Sequence, residues 1–212
     1  MLPRRAKTIR HYHFTSGSHL MTPNQRRQRG FAFLDVILVA AVTAATALYF
    51  INTFADQSKL ETSEQDAKWA LSVATAAKSL VSQTTQTQSL SVGTFSNTEI
   101  TPQILQSNGA LPPQFPRTPA SGSEEIIVRN EGPANRPQIG ILVLTGRIIA
   151  MRDLRNIANL QSSSTSSLVY IESGATQFRG MDGLAGNLSD YGLSAPSNPQ
   201  GTAQLGAFAW TN

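Results

Sequence analysis

The longest apolar stretch in the chain runs for twenty-one residues, from Phe31 to Ile51, and Asp35 is its only strongly polar member. At about 1.5 Å of rise per residue, a helix of this length spans roughly 30 Å, which matches the hydrocarbon core of a bilayer. An α-helix satisfies its backbone polar groups internally, as a lipid environment requires. The pattern therefore predicts a membrane-spanning helix.

The residues before this stretch set its orientation. Arg26, Arg27 and Arg29 precede it without any acidic residue, and such a basic flank stays in the cytoplasm. A secretory signal peptide would have a shorter apolar core and a small-residue cleavage site, and Ala44 to Ala47 offer only a weak one. An ordinary membrane anchor is an alternative, but it gives no reason for Asp35, because an ionisable side chain at membrane depth is costly.

The helix is predicted to continue beyond the membrane. Residues 54 to 82 contain no glycine or proline, and their apolar positions recur at steps of three and four residues. These positions are Leu60, Ala67, Ala70, Leu71, Ala74, Ala77, Leu80 and Val81. The opposite face carries the charged residues Lys59, Glu61, Glu64, Asp66 and Lys68. The pattern predicts a single helix of about fifty residues, with one face of its second half on a sheet and the other in solvent.

The rest of the chain alternates short apolar runs with turn residues, which is typical of strands. Residues 83–123 are rich in Ser, Thr, Gln, Asn and Pro and predict a loop region, in which a short helix starts at Thr101-Pro102. Strands are predicted at 125–129, 138–145, 168–172 and 207–210, with a turn at 145–147, a helix at 151–160 and a loop at 179–206. Four strands beside one long helix indicate an α+β fold, in which the helix packs on a small antiparallel β-sheet.

The beginning of the apolar stretch carries a recognisable motif. A basic segment is followed by Gln28-Arg29-Gly30-Phe31, and Asp35 stands at the fifth position after the glycine. This arrangement resembles that of type IV prepilins. The resemblance implies that a prepilin peptidase cuts between Gly30 and Phe31 and methylates the new N-terminus. It also implies that Asp35 pairs with the N-terminal amine of Phe31 in a neighbouring pilin subunit, after the pilus assembly platform has drawn both into a helical fibre.

Three features depart from the common pilin pattern. The usual acid is glutamate, and Asp35 is one methylene shorter. The chain has no cysteine for a C-terminal disulfide, and no proline kinks the helix near Asn52. The aspartate and the missing disulfide favour a minor pilin over a major one.

The C-terminal half adds a second resemblance. The helical segment from Met151 to Ala158, the glycine-rich loop after it and the ending from Gly206 to Trp210 are similar to the constant part of PilV-type minor pilins of conjugative thin pili, in the type IVb branch. The pilin-like fold implied here begins with a cleaved basic leader at 1–30 and a transmembrane and fibre-core helix at 31–52. An amphipathic continuation of the helix at 53–82, a variable loop region at 83–123 and a β-rich globular region at 124–212 follow.

The resemblance also implies where the protein works. The subunit would cross the inner membrane once, with its C-terminal domain outside the cytoplasm, and then join an extracellular pilus for adhesion, motility or conjugation. A start at Met21 instead of Met1 would leave a shorter leader that keeps the arginines. Two alternatives stay open, which are a pseudopilin of a type II secretion system and an unprocessed membrane-anchored extracytoplasmic binding domain.

The charge of the chain changes once the leader is removed. The whole chain carries 17 Lys and Arg against 13 Asp and Glu, a formal charge of +4, but seven of the basic residues and no acid precede Phe31. Ten basic minus thirteen acidic residues give −3 for the mature chain, so nucleic acid is not expected as a partner.

Candidate catalytic chemistry is sparse. The three histidines all precede Gly30 and cysteine is absent, which excludes Ser-His-Asp and Cys-His systems and the usual zinc ligands in the mature chain. We therefore expect no enzyme activity, no cofactor and no metal. Weaker candidates are Asp182 and Asp190 for Ca²⁺ binding, and Glu124 and Glu125 as an acid–base pair. Arg152 and Arg155 are candidates for anion binding, and Trp69 and Trp210 for ligand platforms. We interpret all of these residues as solvated or structural.

Overall fold

The computed structural model describes residues 23–83, 95–96, 100–130, 138–158 and 166–211, and it describes their side chains except those of 23–32, 83 and 95–96. The alternative start at Met21 lies outside the described residues. The chain divides into two compact units, Met1–Thr53 and Phe54–Asn212. The long first helix contributes residues to both.

The first helix, α1, runs from Pro23 to Gln83 without a break. This confirms the single helix predicted from the apolar stretch and the amphipathic segment after it. Residues 23–30, which the sequence assigns to the basic leader, also belong to α1. Proline is favoured in the first turn of a helix, and the glutamines and arginines that follow it are good helix formers, so the helix starts there.

The second unit combines this helix with an antiparallel sheet, which confirms the α+β class. The elements after α1 are β1 Phe95–Ser96, α2 Pro102–Ser107, β2 Glu124–Asn130, β3 Ile139–Ala150, α3 Leu154–Ala158, β4 Ser166–Glu172, β5 Gln177–Gly180, β6 Ala185–Asn187, a 3₁₀ helix Leu188–Tyr191 and β7 Thr202–Trp210. The described strands form one sheet in the order β1-β2-β3-β7-β4-β5-β6. The C-terminal strand β7 therefore lies at its centre, between β3 and β4.

Two loop predictions are wrong. The predicted turn at 145–147 is a bulge inside β3, where the register against β7 shifts between Leu144 and Ile148. The predicted loop at 179–206 contains the end of β5, all of β6 and the start of β7. Glycines in this segment suggested a loop, but Gly186 lies in β6, where glycine is required because the Phe178 ring occupies the place that a Cβ would take.

The predicted helix at 151–160 begins later in the structure. Residues 151–153 form a turn after β3, α3 covers Leu154–Ala158, and residues 159 and 160 lie outside the described residues. Leu154 and Ile157 are buried, as the predicted apolar face requires. The predicted short helix after Thr101 is confirmed, with Thr101 as the N-cap, whose hydroxyl accepts from the Ile104 N–H at 3.3 Å.

The sheet has a core on each face. On one face, α1 packs its small residues against the strands, and Ala67, Ala70, Val73, Ala74 and Ala77 are completely buried. The facing positions of β7 are also small, at Ala203, Ala207 and Ala209, so helix and sheet can approach closely. The other face carries an aromatic core of Phe178, Tyr191 and Phe208, whose rings contact one another at centroid distances of 5.3–6.1 Å.

The sheet curls over this aromatic core. Arg129 on β2 forms an ion pair with Asp190 of the 3₁₀ helix, 3.3 Å apart, and its guanidinium lies 5.6 Å from the centroid of the Tyr191 ring. The 3₁₀ helix follows β6 directly, at the far end of the strand order from β2. The contact therefore joins two elements that a flat sheet would hold apart.

A buried charge pair joins α1 to β3. Asp66 was predicted on the solvent face of the helix, but its side chain is completely buried. Arg147 donates from Nε to Asp66 Oδ2 at 2.8 Å, and the Ser121 N–H donates to Oδ1 at 3.3 Å. The bulge of β3 places Arg147 next to Asp66. The bulge is held by Thr145, whose hydroxyl donates to the Leu205 carbonyl at 3.0 Å.

Replacing Asp66 by alanine is expected to lower the free energy of unfolding by about 3 kcal/mol, because the largely buried guanidinium of Arg147 loses its counter-charge. Urea unfolding of the full-length protein in detergent micelles measures this. The fluorescence of Trp69 and Trp210 reports on it, since both tryptophans lie in the second unit.

The exposed pair Glu64–Lys68, 3.9 Å apart on the same helix, provides the matched control. Glu64→Ala is expected to change the unfolding free energy by less than about 1 kcal/mol. In the double variant Asp66→Ala/Arg147→Met the loss should be smaller than in Asp66→Ala, because no unpaired charge remains. An equal loss for Asp66→Ala and Glu64→Ala would contradict a structural role for the buried pair.

Candidate functional site

The predicted processing site lies within α1. Gly30 and Phe31 fall inside the helix, eight and nine positions into its length, and Gly30 is its only glycine. Proteases bind the segment around the scissile bond in extended form, so a cut here requires the helix to open locally. Glycine destabilises a helix interior by about 1 kcal/mol relative to alanine, so Gly30 is the interior residue of α1 with the lowest helix propensity.

The described apolar part of α1 is exposed along its length. Among its large side chains from Phe33 to Phe54, the exposed fraction ranges from 48% at Ile37 to 69% at Phe54. The helix is long and apolar enough to cross a membrane, with a mean hydropathy of 2.1 over its most apolar window. An apolar surface of this extent is typical of a membrane or protein interaction site.

The threonine hydroxyls in this part of the helix are satisfied internally. Thr43, Thr46 and Thr53 each donate to the carbonyl oxygen four residues earlier, at 2.8, 2.7 and 2.9 Å. Their hydroxyl protons therefore need no partner from the surroundings, which is compatible with lipid or with packed apolar helices.

Asp35 lies near the start of this exposed surface. Its carboxylate is exposed, and no hydrogen bond or ion pair joins it to any other side chain that the structure describes. A carboxylate in an apolar environment requires a partner, and none of the described side chains provides one here. The structure thus leaves Asp35 free for the pairing that the pilin resemblance implies.

Small residues share this part of the helix with the large ones. Ala40, Ala41, Ala44, Ala45 and Ala47 are all exposed. They allow another helix to approach closely, in lipid or in a fibre core.

A second candidate site is a groove in the unit Phe54–Asn212. Its walls are α1 between Gln65 and Ser79 and the segment 110–120. It consists of two adjoining cavities of about 410 and 580 Å³, and Lys68 and Ser72 border both. We call it the α1 groove.

The wall opposite α1 is held in place before any ligand binds. Trp69 stacks on Phe115 with ring centroids 6.4 Å apart, and its indole N–H donates to the Pro116 carbonyl at 2.8 Å. The side-chain amide of Gln106 donates to the carbonyls of Pro112, Pro113 and Phe115, at 3.3, 3.2 and 2.8 Å. The proline-rich segment is therefore a rigid wall that α2 and α1 fix together.

The structure assigns the weaker candidates to other contacts. Asp190 pairs with Arg129, and Asp182 accepts from the Ser167 hydroxyl and, at 3.1 Å, from the Leu184 N–H. In the part of the chain that is described, no three Asp, Glu or His residues cluster as a metal site would require. Arg152 lies 3.6 Å from Asp153 in an exposed pair.

Other candidates lie in the sheet and its cores. Glu124 and Glu125 are adjacent residues at the start of β2, and burial raises the pKa of the Glu124 carboxyl. Trp69 is buried in the core between α1 and the sheet, as predicted. Trp210 is half-buried against the aromatic core.

Sequence reasoning missed two features of these sites. The sequence pattern predicts Asp66 as a solvated charge, although it shares a helical stripe at steps of four and three with Ala70, Val73 and Ala77, which are all completely buried. Phe115 was read as part of a connecting loop. Nothing in its local sequence indicates that it stacks on Trp69, which lies 46 residues earlier in the chain.

Comparisons with protein-family models, with curated proteins and with solved structures find no match. The exposed apolar helix, the free carboxylate of Asp35 and the α1 groove are therefore the observations from which a function can be inferred.

The pH dependence of stability is expected to include Asp182. Burial raises the pKa of its carboxyl, but hydrogen bonds from the Ser167 hydroxyl, the Leu184 N–H and its own N–H outweigh burial and lower the pKa overall. A lowered folded-state pKa stabilises the fold above the unfolded value, about 3.9, and this contribution is lost as the pH falls through the folded value.

Urea unfolding at pH 5 and at pH 3 measures this contribution, with Asp182→Asn as the variant. The wild type should lose more stability between the two values than Asp182→Asn does. Because the side chain is exposed, the difference should be modest. Equal losses in both proteins would show that Asp182 does not contribute.

Proposed function

We propose that this chain is a type IV pilin-like subunit, of the minor-pilin kind. It is inserted in the inner membrane, cut after Gly30 and assembled into a pilus fibre. The observation that carries the proposal is the exposed apolar stretch of α1 with Asp35 near its start, which continues as the buried helix of an α+β unit. A role as a membrane anchor explains only the apolar surface, whereas the pilin function explains both this surface and Asp35.

The charge of Asp35 supplies the physical reason for processing before assembly. A cut between Gly30 and Phe31 creates an α-amino group four residues before Asp35 on the same helix. In a fibre core, where water is excluded, the carboxylate of one subunit needs a cation, and the new amine of a neighbour provides it. Removal of the leader also takes away three arginines directly before the apolar stretch, which would otherwise have to enter that core.

The helix suits both environments that the proposal requires. In the membrane, its exposed large side chains face lipid and its threonine hydroxyls are satisfied internally. In the fibre, the alanines let neighbouring helices approach, while the large residues fill the space between them. The second unit keeps its own core and does not need the fibre to fold.

The first test is the N-terminal mass of the protein from cells with and without prepilin peptidase. The expected result is a mature chain that begins at methylated Phe31 in the first case and an uncut chain in the second. An uncut chain in cells that contain the peptidase would contradict the proposal and leave a membrane-anchored binding domain. A processed chain without surface fibres would indicate a type II secretion pseudopilin.

Asp35→Ala is expected to abolish or strongly reduce incorporation into fibres while membrane insertion and cleavage stay normal, because the mutation removes only the pairing charge. Sheared surface fibres and membrane fractions, compared by immunoblot, measure the two effects separately. Asp35→Glu is the matched control and should assemble, since it keeps the charge with one more methylene. Normal incorporation of Asp35→Ala would refute the pairing role.

A further inference from the structure

We propose that the α1 groove binds a small aromatic carboxylate, with the ring between α1 and the proline-rich segment and the carboxylate on Lys68 and Ser72. The groove lies within the unit Phe54–Asn212 and is already formed in the single chain. The proposed pilin function assigns no role to this groove, so binding here does not depend on a cut after Gly30.

The cavity of about 410 Å³ provides the apolar part of the site. Trp69, Phe115, Pro116 and Ala120 line it, and its volume lies within the range of about 300–1,000 Å³ that is typical of small-molecule sites. Trp69 is already stacked on Phe115 and bonded to the Pro116 carbonyl, so the cavity does not have to be assembled when a ligand enters. A flat ring suits such rigid walls, because it has little conformational freedom to lose.

The charge at this cavity is positive. Lys68 is the only charged residue among the described residues that border either cavity of the groove. Its side chain is 61% exposed, and its ion pair with Glu64, at 3.9 Å, is exposed and therefore weak. An arriving carboxylate can displace Glu64 at little cost, whereas a cationic ligand would meet a like charge. The groove therefore favours an anion.

A hydroxyl group lies next to the Lys68 ammonium. Ser72 follows Lys68 by four residues, so the two side chains lie on the same face of α1, with their Cβ atoms about 5–6 Å apart. Ser72 is exposed, and its hydroxyl forms no hydrogen bond within the described part of the chain. One carboxylate can therefore accept from the ammonium through one oxygen and from the hydroxyl through the other. Because both donors border the apolar cavity, the arrangement favours a carboxylate attached directly to a ring.

Quenching of Trp69 fluorescence tests the site in the full-length protein in nonionic detergent micelles. The probe is para-iodobenzoate, because its iodine atom quenches an indole only at short range. The parent protein for this experiment carries Trp210→Phe, which leaves Trp69 as the only tryptophan. Saturable quenching is expected with para-iodobenzoate. The neutral para-iodobenzamide, which has the same ring and no charge, should bind more weakly.

Two variants in the groove locate the binding. Lys68→Met keeps the length of the side chain and should weaken binding of para-iodobenzoate about tenfold, because a charge-assisted hydrogen bond is lost. Ser72→Leu should abolish binding, since leucine fills the space beside the ring. Leucine is a good helix former at this exposed position, so the fold should persist.

Lys59→Met and Ser58→Leu are the matched controls, because both positions are exposed on α1 and neither borders the groove. Both should bind the probe as tightly as the parent protein does. The emission maximum of Trp69 without probe should be the same in all variants, which shows that the stack on Phe115 is intact.

Three results would overturn the proposal. Quenching without saturation would indicate uptake of the probe by the micelles, and equal quenching in the parent, Lys68→Met and Ser72→Leu would place the probe elsewhere. Equal affinities for para-iodobenzoate and para-iodobenzamide would exclude recognition of the carboxylate. The measurement requires neither cleavage nor fibres, so its failure leaves the pilin function untouched, and an uncut chain in cells leaves the binding site untouched.

Discussion

The close packing of α1 on the central strands is the constraint on which the folded unit depends. Alanines at 67, 70, 74 and 77 share a core with the alanines of β7, so the helix lies close to the sheet, and the larger side chains of Trp69, Leu71, Val73 and Val81 are buried in the same core. Most of the stability of such a helix comes from tertiary packing rather than from its own propensity. The Asp66–Arg147 pair adds specificity to this apolar interface, because a buried carboxylate is tolerated only where its partner stands.

The elements of the fold could largely be predicted from local patterns, whereas their connections could not. The β-branched runs at 125–129 and 138–145 are recognisable as strands, and they are found in β2 and β3. The bulge at 145–147 looks like a turn because glycine stands in it, and only the register against β7 shows that β3 continues. At Gly206 an added Cβ would lie 2.5 Å from the Val143 carbonyl, so this glycine serves close strand approach in the middle of the sheet.

The two candidate sites also differ in how far the sequence alone predicts them. The motif around Gly30, Phe31 and Asp35 is local, so the sequence alone defines it, and the structure adds the exposure of the helix that follows. The α1 groove depends on a segment that folds back over the helix, held by the side chain of Gln106 and the stack of Phe115 on Trp69. Contacts between residues more than forty positions apart have no signature in a single sequence, which is why the groove could not be anticipated.

Two carboxylates on α1 each need a partner for their negative charge, and they differ in where that partner comes from. Asp66 is buried within its own chain, and the fold supplies an arginine and a backbone N–H for it. Asp35 is surrounded by apolar side chains that are themselves exposed, and none of the described residues pairs with it. An apolar helix that only anchored a domain would be more stable in lipid without this aspartate. Its presence is therefore best explained by a partner that arrives later, and under the proposed function this partner is the amine that removal of the leader would release.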